Sequence, residues 1–459
     1  MPWKWVATLT LVLALIPFGV VADPNSLEDA ALARQAGAML TASMAANAPG
    51  ASALIARGDQ VIFRTARGSA NLELGVPLQP QHVFRIGSIT KTFTAAAILK
   101  LSAEGKLSLN DPLAKFLPDF PNGMHITLAE LLDHTAGISD AWESTDPAQP
   151  LDTTALVKLI AGHAPDFAPG TAWAYSNSGY MLLGAVIEKI RGQPWYAAID
   201  DLFAKPLKLT HTAYHADDAV VPQRVTGYSR NDRGDIVQPP YINISGPGAA
   251  GALASTVDDL FHWMRALVTG RALPPGLFEA MSSAKTTATG DPVHYGYGLM
   301  LGTVRGESVI EHTGGIEGFA AQLSYFPKQH VTVVVLANTD AGSPNPRSLA
   351  HQLGALAIGN PYIELKAIHA DESRLRELCG NYRIDATSTR TISLENGMLT
   401  VRRDNGPKRV LALAQGELLF FPGDGTDYFK IARDDRGRVI GLDFHADGMP
   451  PARREIFMP

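Results

Sequence analysis

Two side chains in the stretch FRIGSITKTFTAAAILKL are out of keeping with their surroundings. Beyond Lys91 the residues Phe93, Ala95, Ala96, Ala97, Ile98, Leu99 and Leu101 leave almost no polar face, the pattern of a helix buried in a core. Ser88 and Lys91 stand in the first turn of that expected helix. Residues three apart share a helix face with Cβ atoms about 5–6 Å apart, so the hydroxyl can lie against the amine. Lysine is normally protonated, but burial disfavours its charge. A neutral amine can take the serine proton and leave a nucleophile for acyl transfer, and the N–H groups of a helix start favour developing negative charge on the oxygen. The same spacing recurs at Ser282 and Lys285, in SSAK, without such a buried helix, so spacing alone identifies nothing.

Two further patterns could complete a site. In Tyr175-Ser176-Asn177, residues i and i+2 of extended chain point the same way, so a phenol and an amide can line one wall. A second Tyr-x-Asn at Tyr241 and Asn243 makes the tripeptide unspecific by itself. His312-Thr313-Gly314-Gly315 places two glycines where backbone can approach a ligand closely.

The stretch VFRIGSITKTFTAAAILKLSAEGKLSLNDPLAKFLPDFP resembles the serine β-lactamase and penicillin-binding-protein superfamily, in its class C-like branch of D-aminopeptidases, alkaline D-peptidases and family VIII esterases. The likeness continues through ITLAELLDHTAGI, FAPGTAWAYSNSGYMLLGAVIE and GALASTVDDL to HTGGIEGF, over roughly residues 30 to 345. It implies Ser88 as nucleophile, with Lys91 and Tyr175 moving protons. It further implies an oxyanion hole from the Ser88 and Gly315 N–H groups, and a substrate oriented by Asn177, His312, Thr313 and Gly314 along an edge strand. One position departs from the pattern: β-lactamases and most penicillin-binding proteins carry lysine where His312 stands. A histidine, mostly neutral above neutral pH, holds a carboxylate less firmly, which counts against a dedicated β-lactamase.

These groups need a scaffold. Residues 26 to 46 read as a helix with Ser26 and Asp29 at capping-box spacing. ASALIARGDQVIFRTARG reads as a hairpin about Gly58-Asp59. Helices are expected at Thr127–Glu130, from about Gly179 to Arg191, and after Thr256, where Asp259 completes a cap. VIEHTGGIEGFAAQLSYFPKQHVTVVVLAN alternates and is β-branched, as adjacent strands are. Strands at both ends of a helical middle predict an α+β fold: with the resemblance, a β-lactamase-like antiparallel sheet flanked by helices plus an all-helical subdomain. Residues 1–22 are expected to be a signal peptide, 23–360 the hydrolase domain, and 372–459, with turns at Asn396-Gly397 and Arg436-Gly437, a small all-β barrel of lipocalin-like type.

Other readings fall away. A net charge of −6 without a basic stripe excludes nucleic acid as the expected partner. GPGAAG, residues 246–251, lacks the βαβ setting and distant acid of a dinucleotide site and reads as a structural loop near the cleft. His211 and His215 lack the glutamate of a zinc helix, so no metal is expected, and no organic cofactor. His134 reads as a loop-fixing residue. No G-x-S-x-G surrounds a nucleophile, and Cys379, the only cysteine, has no catalytic setting. The apolar run before Val21 is expected to direct export to the periplasm or medium and to leave no lasting span. An uncleaved anchor is the alternative, because the run approaches the roughly 18 residues of a span.

The expected function is therefore an exported serine hydrolase working through an acyl-serine. Its substrate is expected to be a small molecule or short peptide: most readily a peptide containing D-residues, then an ester. The alternatives are a β-lactamase, or a non-hydrolytic penicillin-binding sensor of peptidoglycan fragments.

Overall fold

The computed structural model describes residues 24–141, 146–342, 344–422, 426–451 and 453–458; the expected signal peptide lies outside them. A six-stranded antiparallel sheet is the backbone of the first domain. Its order is Met300–Val304, Glu307–Ile316, Phe319–Phe326, Val331–Ala337, Ala51–Arg57 and Gln60–Arg67. The first and last parts of the domain thus meet in the sheet, Ala51–Arg57 pairing with Val331–Ala337 across its whole length.

Helices cover both faces, which explains why Val331–Ala337 is buried throughout, and apolar but for Thr332, rather than alternating. Ala53, Ile55, Val333 and Val335 face the helices Pro24–Ser43 and Pro346–Ala357. Leu54, Val334 and Leu336 face a larger core that also holds the Thr90–Ala103 helix and the helical region around Asn177–Arg191. In that core Phe93 stacks on Trp263 at 4.0 Å, and the Trp263 indole donates to Thr92 Oγ1. Truncating such a ring costs about 3–5 kcal/mol, so the helix after Ser88 is firmly fixed.

Local details sharpen the sequence reading. Thr127 and Glu130 form the expected capping box, and Thr256 accepts from Asp259 N–H. The first helix is described over Pro24–Ser43, shifted toward the N-terminus from the expected residues 26 to 46. The serine-bearing turn Gly87–Ile89 is a separate 3₁₀ turn before the helix proper, and the predicted Gly179 helix starts two residues earlier, at Asn177.

Eight antiparallel strands between Gly380 and Met458 close into a barrel with its own core of Tyr382, Leu399, Leu413, Phe429 and Leu442. It touches the first domain at the turn between Met300–Val304 and Glu307–Ile316, where Arg305 N–H and Tyr362 OH both donate to the Asp447 carboxylate.

Candidate active site

Ser88, Lys91, Tyr175, Asn177 and Gly315 converge where the sheet meets the helical region. Ser88 is set on the tight turn after Ile86, and two glycines let that turn press against the sheet. A Cβ on Gly314 would lie 2.0 Å from the Ile86 carbonyl, and one on Gly87, whose φ is 50°, 2.7 Å from Gly315 N. Strand Met300–Val304 pairs with Glu307–Ile316 only as far as Glu311. The half carrying His312 to Ile316 is therefore an open edge beside Ser88, inside a sheet whose outermost strand is another.

Lys91 is wholly buried. Its Nζ lies 3.0 Å from Ser88 Oγ, 2.7 Å from Asn177 Oδ1 and 2.9 Å from the Ala250 carbonyl. Amide and carbonyl oxygens only accept, whereas a hydroxyl can donate. The protonated amine donates to all three oxygens; on losing one proton it keeps its N–H bonds to Asn177 and Ala250 and turns its lone pair to the Ser88 hydroxyl. Burial lowers the Lys91 pKa to about 7, against the opposing pull of Asp140. The amine is thus available as a base near neutral pH.

Tyr175 completes the group, its ring centroid 4.8 Å from Lys91 Nζ. Burial raises its phenol well above the ordinary range, despite a hydrogen bond with Ser88, so it stays protonated and can donate. Asn177 is held in turn by Asp140, whose Oδ2 accepts from Nδ2 at 2.7 Å. The amide expected to face substrate therefore spends both ends within the protein.

A cleft of about 370 Å³ opens over Ser88, Tyr175, Asn177 and Gly315, with Glu317 and Asp340 on its wall. Segment 246–251 is more than a loop at its rim: Pro247, Ala250 and Gly251 line the cleft, Gly248–Gly251 is a short helix, and Ala250 supplies the carbonyl to Lys91. His312 is not brought to the cleft. It is wholly buried, with Nδ1 against the Thr313 carbonyl at 2.6 Å and Nε2 against Tyr295 OH at 2.9 Å. Burial, helped by the Lys91 charge, lowers its pKa to about 3, so the ring is neutral. Thr313 and Gly314 follow it along the strand outside the cleft lining. Asp140 and Ala250 are the participants that the sequence reading missed. A lone aspartate in GISDAW carries no motif signal, and a backbone carbonyl has none at all. Among the described residues no group of His, Cys, Asp and Glu side chains could hold a metal, and no helix is long and apolar enough to cross a membrane.

The profile of the Beta-lactamase family matches residues 32–357. The chain belongs to the beta-lactamase family. The barrel lies beyond the matched residues, and the matched part is a β-lactamase-fold hydrolase domain. Among relatives, Protein flp of Staphylococcus aureus is 30% identical over 300 residues, covering 64% of this chain and 60% of flp. The chain thus matches somewhat under two thirds of that relative's length. A D-stereospecific amidohydrolase from Streptomyces is similar at 31% identity and a TM-score of 0.59, over 68% of this chain and 94% of its own. The octameric penicillin-binding protein homologue from Pyrococcus abyssi has 25% identity and a TM-score of 0.67, over 93% of this chain and 99% of its own. That breadth takes in the barrel as well as the beta-lactamase domain.

Proposed function

We propose that this chain is an exported acyl-serine hydrolase whose preferred substrates are amides of short peptides with D-residues, esters coming second. Ser88 Oγ attacks the carbonyl carbon as its proton passes to Lys91 Nζ. The carbonyl oxygen, now negative, lies between the Ser88 and Gly315 N–H groups. The tetrahedral centre collapses, the leaving nitrogen takes a proton from Tyr175, and Tyr175 recovers one from Lys91. Water then repeats the sequence on the acyl-serine and releases the acid. Thr313 and Gly314 border the edge along which an extended substrate would lie, and the buried, neutral His312 acts only by holding that edge. No step needs a metal or an organic cofactor.

The observation that carries this reading is the amine of Lys91, buried, 3.0 Å from Ser88 Oγ, with its two other partners able only to accept. The amide preference rests on the 31% identity to a D-stereospecific amidohydrolase and on the charge of the cleft. Among the described residues Glu317 and Asp340 are the ionisable groups on its wall beyond the reacting residues, and no arginine lines it. An anionic β-lactam or a peptide C-terminus would meet repulsion there.

Intact-protein mass spectrometry with a fluorescent penicillin, beside turnover of D- and L-amino-acid anilides, a nitrophenyl ester and a chromogenic cephalosporin, tests the proposal. The expected result is a transient adduct on Ser88 and faster turnover of D- than of L-anilide. A persistent adduct without turnover of any substrate would make the protein a sensor, and a cephalosporin hydrolysed fastest would make it a β-lactamase.

A further inference from the structure

His134 combines two unfavourable features. It follows the Leu128–Leu132 helix with φ at 66°, the left-handed backbone that usually falls to glycine or asparagine at this place. Its ring is buried, and Nδ1 lies 3.1 Å from Ser176 N–H, which can only donate. A neutral ring accepting at Nδ1 carries its proton on Nε2. That Nε2 is buried with no hydrogen-bond partner among the described residues, and a buried donor left unpaired is costly. Strain and an unsatisfied group at one position point to a role beyond local stability.

Anchoring of the loop does not account for the side chain. Thr135 and Gly137 carbonyls already accept from Gly170 and Asp166 N–H groups, and Thr135 and Ala136 N–H both reach the Glu130 carbonyl. What the histidine itself holds is the segment on either side of Tyr175. Ala174 N–H donates to the His134 carbonyl at 3.2 Å, and Ser176 N–H donates to its ring. The ring lies 4.4 Å from the Tyr175 ring, between centroids, and 4.6 Å from that of Tyr295. Tyr295 in turn bonds His312 on the strand that ends at the cleft.

We propose that His134 is the positioning residue for Tyr175: it bonds the chain before and after the tyrosine and packs against its ring, keeping the phenol oxygen on Ser88 as the proton moves. The inference rests on the reading of Tyr175 as proton carrier.

Three variants separate its parts. His134→Asn keeps an acceptor and tolerates the left-handed backbone but loses the ring contact. His134→Phe keeps a ring and loses the acceptor. His134→Gly relieves the backbone and loses both. Rates are measured with a nitrophenyl ester per mole of purified folded protein, alongside melting temperature. Glycine should lower kcat by about 10²-fold, the scale of a roughly 1 Å misplacement of a reacting group, with KM hardly changed, Tm lowered by the lost ring packing, and asparagine restoring much of the rate. Should the glycine variant fail to fold, the phenylalanine variant carries the same expectation. If kcat in these variants stays at the wild-type value, the proposal is overturned. Tyr175→Phe distinguishes the two failures: a slow Tyr175→Phe beside fast His134 variants overturns the positioning role alone, and a fast Tyr175→Phe removes the premise and the proposal together.

Discussion

Ser88 with Lys91 and Ser282 with Lys285 share a spacing but keep different company. In the first pair the amine is wholly buried, touches the hydroxyl and meets two further acceptors. In the second, Ser282 ends a five-residue helix and its hydroxyl turns back to the Phe278 carbonyl, while Lys285 begins a short strand. The Lys285 amine donates to the Ala280 carbonyl and lies 4.0 Å from the centre of the Tyr297 ring. Burial lowers the pKa of both lysines, with Asp133 opposing at Lys285. Desolvation of an amine is thus common to the two regions. What makes a base is the company it keeps: a hydroxyl that can give its proton, and acceptors that use up the N–H groups.

The contrast can be broken most directly at the serines. Ser88→Ala should reduce ester turnover by on the order of 10⁴-fold or more, as loss of a nucleophile does, whereas Ser282→Ala should leave it at the wild-type rate. Equal effects in steady-state assays would erase the distinction.

The lysines sharpen it through stability. Lys91 has a folded pKa of about 7 against an ordinary 10.5, so between those values the unfolded chain binds more protons and stability rises with pH. Lys91→Met should abolish turnover and remove that slope. Its melting temperature relative to wild type should be most favourable below pH 7 and decline as the pH rises. Lys285→Met, at a partly exposed site, should show a shallower change of the same sign with turnover intact. Melting curves from pH 6 to 10 read both; a parallel pair of curves for Lys91→Met and wild type would contradict the buried neutral amine.

The smallest effect is expected at Asp140. The rising limb of kcat/KM against pH should lie near 7 in the wild type, where Lys91 loses its proton. Asp140 raises that pKa, so Asp140→Asn should move the limb to lower pH by about one unit. A limb that stays in place would mean that another group titrates there.

Much of this was legible in the chain. Phe93 to Leu101 announced a buried helix because no face is left polar, Thr127 and Thr256 announced helix starts because their side chains replace missing backbone bonds, and Asn396-Gly397 announced a hairpin in the barrel. The site was legible as three motifs but not as a set of contacts. Nothing in HTGG indicates that His312 turns inward to Tyr295, nor in LLDHTAGI that His134 reaches Ser176. These are decided by what lies across the core from each side chain.

Periodicity, capping residues and turn residues act over a few positions, so the order of residues alone determined the helices, the strands and the candidate nucleophile. The protonation of Lys91, the neutrality of His312 and the enlistment of Asp140 and the Ala250 carbonyl were decided only by the tertiary structure. Burial and the nearest partner set those properties, and both come from residues far apart in sequence that only packing brings within hydrogen-bonding distance.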